Sequence, residues 1–115
     1  LSIVEDKSYC FAIGIVAIYK LLSGDNKEYV LSKQLLRSGT AIGALVREAQ
    51  HAQSRADFVH KMNLALKEAN ETAYWISLLN DTGYLSVEIF SSLNNDCEEL
   101  LRLLVKIVKT SKGIK

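Results

Sequence analysis

Proline is absent from this 115-residue chain, and prolines are what most often break a long helix. No Ser/Gly-rich linker appears before the last few residues either, so long helices with tight connections are expected. Cysteine is nearly absent. Cys10 and Cys97 stand far apart and form no CxxC pair, and one bridge would not make a disulfide framework, so a reducing cytoplasm is the expected compartment. An excess of one charge is also missing: 14 Lys and Arg against 13 Asp and Glu leave a net charge of +1. That balance excludes a disordered polyelectrolyte and gives no global pull toward nucleic acid or a membrane, so any nucleic-acid contact must be a local patch. The longest apolar run, "YCFAIGIVAIYKLL" from Tyr9 to Leu22, is shorter than the roughly 20 residues a bilayer requires and contains Lys20. It has neither the basic start nor the small-residue cleavage site of a signal peptide. It reads as a core helix buried on more than one side.

What is present is 49% hydrophobic and 23% charged, enough for one domain over residues 1–115 that buries roughly two-thirds of its unfolded surface. Four helical segments are expected, about 3–22, 27–52, 55–80 and 86–110. "SGDN" separates the first two, with Gly24 suited to a left-handed C-terminal cap and Asp25 or Asn26 to capping the second helix. Ser54 with Asp57 three residues on makes an Asp variant of the capping box that starts the third. Gly83 ends the third and Ser86 caps the fourth. The apolar spacing Ile89, Leu93, Cys97, Leu100, Leu104, Ile107 runs unbroken through the weak helix formers around Asn95, so the fourth segment reads as one helix. Short connections force neighbours to run antiparallel. The expected fold is all-α, an up-down-up-down four-helix bundle.

Gly39 and Gly43 sit four apart inside "RSGTAIGALVREAQH". The lysine and hydroxyl of a phosphate loop are missing, and Arg37 and Arg47 rule out a membrane helix pair. What survives is close backbone approach, within the subunit or against another copy. In the third segment Phe58, Met62, Ala65, Ala69, Thr72, Ala73, Ile76 and Leu79 form the core stripe, while Leu64, Trp75 and Leu78 lie off it among Glu68 and Glu71. An apolar band edged by charge, with a Trp in it, has the character of an association patch, although a Trp lying over a neighbouring helix is as ordinary. Leu64, Trp75, Leu78, Gly39 and Gly43 are therefore the candidate oligomer interface.

Catalytic chemistry finds little to stand on. Glu48 with His51 and Asp57 with His60 have the acid-xx-His spacing of di-iron bundles, but both pairs flank one turn and face away from the core stripes, whereas such a site needs converging ligands in the interior. No nucleophile-base pair or carboxylate pair stands out, so neither catalytic residues nor a cofactor nor a metal is expected, and a ferritin-like metal enzyme is the weaker alternative. The one charge asymmetry is "RLLVKIVKTSKGIK", where Arg102, Lys106, Lys109, Lys112 and Lys115 appear with no acid after Glu99. Arg102, Lys106 and Lys109 share one stripe. Cations there complement a helix C-terminus, and as a group, with Lys112, they are also the candidate nucleic-acid contact.

"YVLSKQLLRSGTAIGALVREA", "DFVHKMNLALKEANETAYWISLL" and "SLNNDCEELLRLLVKIV" together resemble the four-helix bundle family of proteins encoded in 23S rRNA intervening sequences, which is also similar to the accessory protein of diversity-generating retroelements. The resemblance covers nearly the whole chain. It implies a bacterial cytoplasmic bundle that assembles into a homopentamer and, in the retroelement branch, a basic barrel that binds nucleic acid and a reverse transcriptase. The expected function is a non-enzymatic, self-associating scaffold for RNA or a nucleic-acid enzyme, with no membrane partner. A protein-only interaction module is the alternative.

Overall fold

In the computed structural model, which describes residues 2–113, every connection is short enough to force an immediate reversal of the chain. Four helices result: α1 (Ile3–Gly24), α2 (Leu31–Gln50), α3 (Arg55–Asp81) and α4 (Val87–Ser111). Each packs on its two neighbours in chain order, and α4 closes back on α1, the loosest of the four contacts. Successive contacts along the seams run in opposite order, with Ser8 beside Gly43 and Ile15 beside Gly39 between α1 and α2, and Lys61 on Glu48 and Thr72 on Ser38 between α2 and α3, so these neighbours are antiparallel. The bundle measures 44 × 24 × 22 Å, and its length matches the ~40 Å expected of the longest helix at 1.5 Å per residue.

Apolar residues three and four apart turn one stripe of each helix inward. Ile15, Leu22, Leu35, Ile42, Met62, Ile76, Leu79, Leu100 and Leu104 are completely buried there. One polar pair crosses this core: the Thr72 hydroxyl lies 3.0 Å from Ser38 Oγ and 2.7 Å from the Glu68 carbonyl, while Ser38 Oγ lies 3.1 Å from the Gln34 carbonyl. Each hydroxyl has one proton, so the two share their acceptors along a short chain. No buried side-chain nitrogen or oxygen among the described residues lacks a partner.

The helix starts follow local chemistry. Ser2, Ser54 and Ser86 accept from the backbone N–H of Glu5, Asp57 and Ile89, and Asp57 Oδ2 accepts from Gln53 N, close to a capping box. Gly83, at φ +84°, ends α3 in the left-handed conformation that glycine adopts without cost. The first connection corrects the sequence reading. Gly24 remains helical, the left-handed residue is Lys27 at φ 52°, and α2 begins at Leu31 instead of Lys27. Neither Asp25 nor Asn26 caps it. The Glu28 carboxylate does, accepting from the N–H groups of Val30, Leu31 and Ser32 at 3.1, 3.0 and 2.7 Å.

Candidate functional site

The two glycines of α2 meet their own chain. A Cβ on Gly39 would stand 2.8 Å from Ile15 Cγ1, and one on Gly43 would stand 3.2 Å from the carbonyl oxygen of Ser8. Ile15 is completely buried and has no room to yield, so the missing side chain of Gly39 is what lets α1 and α2 close. Trp75 is half-buried against the core, and its indole N–H donates to Glu71 Oε2 one turn earlier at 3.0 Å. Leu64 and Leu78 are half-buried too.

The acid-xx-His pairs do not converge. His51 and His60 are exposed, Glu48 pairs with Lys61 at 3.1 Å, and Asp57 is engaged at the start of α3. Among the described residues no three His, Cys, Asp or Glu side chains come together as metal ligands. Burial pushes the Cys97 thiol up to about 12, with the nearby Glu98 charge adding to it, and its Sγ lies 3.6 Å from the Ala69 carbonyl. A thiol held that firmly protonated is packing and not a nucleophile.

Two surface features remain. The first is cationic. Arg102, Lys106, Lys109 and Lys112 are all exposed, and among the described residues none of them forms an ion pair. Three of them run along one α4 stripe about 10 Å long, at 1.5 Å per residue. Arg55, which the sequence reading passed over, adds a cation at the C-terminal end of α4 by donating from Nε to the Ser111 carbonyl at 3.0 Å. Lys115 lies outside the described residues.

The second feature is apolar. From Ser8 to Tyr19 the sequence of α1 carries no charge, which is more than three helical turns. Only one side of α1 faces the core. On the outside Tyr9 is 55% exposed, Ile13 58% and Val16 36%, with Cys10 and Ala17 exposed beside them. A helix apolar around its whole girth is normally covered on every side, and this one is not. The twelve-residue gap in charge was the available signal, but it does not say which sides the chain's own helices leave open. Shallow hollows flank this ridge on both sides, one against α2 beside Tyr9 and Ala44, the others against α4 beside Cys10 and Asp96. No helix among the described residues is long and apolar enough to cross a membrane.

Residues 2–106 match the family described as 23S rRNA-intervening sequence protein. The chain is also similar, at 57% identity and a TM-score of 0.91, to a crystal structure of a protein with unknown function from the S23 ribosomal protein family of Bacteroides thetaiotaomicron VPI-5482. That similarity covers 93% of this chain and 99% of the other. No curated protein matches.

Proposed function

This chain belongs to the 23S rRNA-intervening sequence protein family, and from that premise we propose that it is a non-enzymatic helical scaffold that assembles with copies of itself and holds RNA on its surface. One observation carries the scaffold reading, the apolar outer side of α1. Covering what is left exposed of Tyr9, Ile13 and Val16 is worth on the order of 3 kcal/mol per copy, less than the ~4–15 kcal/mol that association costs in lost freedom. The hollows on both sides of the ridge must therefore be filled as well, which points to a broad contact and not a single knob. A pentamer is the assembly that the family resemblance implies. The α1 side is more exposed than the Leu64, Trp75, Leu78 band, and so is the better candidate for the contact.

The RNA part rests on the α4 stripe. Arg102, Lys106 and Lys109 are free to neutralise phosphates, and assembly would multiply their number without adding a contact per copy. Three phosphates per chain give a log-log salt slope of about −2 to −3, deepened by the number of copies that engage one RNA. Binding of a structured RNA followed by fluorescence anisotropy from low to moderate salt tests this. The expected result is steep weakening with salt and a slope reduced by Arg102→Gln, Lys106→Gln and Lys109→Gln together. Binding that is absent at low salt, or unaltered in the triple variant, removes RNA from the proposal and leaves a protein-only interaction module, which the near-neutral charge of +1 favours as the second reading.

A further inference from the structure

We infer that the outer face of α3 is a docking platform for an arginine presented by another protein, where the rings of Tyr74 and Trp75 take the flat guanidinium and Glu71 takes its charge. Helix spacing assembles the platform. Glu71 precedes Tyr74 by three residues and Trp75 by four, and Leu78 follows them by four and three, so the two rings stand on either side of a line from an acid to an aliphatic side chain. Tyr74 is 59% exposed, more than any other aromatic side chain among the described residues. Its ring meets that of Trp75 edge to face, with centroids 4.9 Å apart and planes at 75°. The indole N–H, donating to Glu71 Oε2 at 3.0 Å, holds the carboxylate beside the rings. Among the described residues neither Glu71 nor Glu68, three residues earlier, forms an ion pair, and the exposed Lys67 on the same helix engages neither of them.

An ionised carboxylate offers about four acceptor positions, and the indole takes one of Glu71's. The remaining lone pairs and the negative face of an exposed ring both attract a cation. The shape of the platform selects which cation. Because the two rings pack on each other, they leave an open surface and not the ring-walled cage that encloses a quaternary ammonium. A guanidinium is flat, stacks on such a surface and turns a pair of N–H groups toward a carboxylate, whereas an ammonium is a compact, strongly hydrated point charge. Leu78 lies where the aliphatic stem of the arginine needs cover. The ring contact and the indole bond also order the platform before a partner arrives, which lowers the side-chain freedom lost on docking. Most arginines of the chain itself are engaged elsewhere: Arg47 lies 5.4 Å from the centroid of the Tyr9 ring, Arg55 donates to the Ser111 carbonyl and Arg102 belongs to the α4 stripe, which leaves Arg37. The platform is separate from the α1 ridge, since α3 does not pack on α1, and it depends neither on assembly nor on RNA.

Trp75 is the only tryptophan of the chain, so its fluorescence reports on the platform directly. The probes are three end-capped Gly/Ser peptides that carry a run of arginine, of lysine or of the neutral isostere citrulline, titrated into the protein at low salt. The arginine peptide should change the emission saturably, the lysine peptide should need about tenfold more to do so, and the citrulline peptide should leave it unchanged. Glu71→Gln and Tyr74→Leu should each weaken the arginine peptide by about three- to tenfold. Gln can still accept from the indole and Tyr74 is exposed, so both variants should keep the helical circular dichroism of the wild type. No saturable response to the arginine peptide, or a response that survives both substitutions, overturns the platform. Arginine and lysine peptides of equal strength overturn the guanidinium assignment and leave only attraction between opposite charges. Emission that shifts when the protein is diluted without peptide gives the platform to another copy of the chain and overturns the assignment to a different protein.

Discussion

Gly39 shows how a single absent methyl sets the spacing of two helices. Helix propensity favours Ala over Gly by ~1 kcal/mol, but a Cβ there would overlap Ile15, which is completely buried and β-branched. Overpacking of this kind costs about 1–3 kcal/mol, so the clash outweighs the propensity gain. Gly39→Ala is expected to lower the stability measured by urea unfolding, and a variant as stable as the wild type would mean that α1 and α2 tolerate a wider separation. The sequence made the close approach of Gly39 and Gly43 legible, because neither the phosphate-loop nor the membrane alternative fitted. It did not identify the neighbour. Ile15 comes from another helix, and only the fold fixes which of its apolar residues stands opposite. Trp75 illustrates the converse: its off-stripe position was legible, whereas the indole bond to Glu71, one turn back on the same helix, depends on rotamers that spacing does not specify.

Among the elements, α3 and α4 were the most readable, since Ser54, Gly83 and Ser86 are short-range signals whose chemistry acts within three residues. The start of α2 was less so. There a long side chain caps the helix, and a lysine, a residue with no preference for the left-handed region, makes the turn. For the Glu28 carboxyl, burial by itself raises the pKa, but the N–H groups of Leu31, Ser32 and Val30 and the Ser32 hydroxyl overcome it and hold the group below its ordinary value. A carboxylate with a folded pKa below its unfolded one adds stability above the unfolded value of ~4.3 and loses it as pH falls through the folded value. Glu28→Ala should therefore cost about 0.5–2 kcal/mol at neutral pH, the range of a lost cap, and the difference from wild type should shrink below about pH 4. Thermal melts of both proteins from neutral to acid pH check this, and a gap that is constant across the range would contradict the role given to the carboxylate.

At the scale of the whole molecule, the charge balance of +1 hides two local asymmetries, a cationic stripe along the end of α4 and an uncharged belt around α1. The stripe was visible in the sequence because its cations are close neighbours in the chain. The open side of α1 was not, because a run that is apolar all round looks the same whether four neighbours cover it or two. The chain's own helices supply two neighbours, α2 and α4, and α4 packs loosely. Another copy completes the cover in this account, and the mass in solution tests that most directly. Sedimentation equilibrium of the wild type and of Ile13→Glu, which places a charge at the centre of the ridge, should give a multiple of 12.8 kDa, about fivefold by family resemblance, for the first and a single chain for the second. A wild type of one chain mass at every concentration, or an Ile13→Glu variant that keeps the full assembly, would contradict the claim that α1 is covered by copies of the same protein.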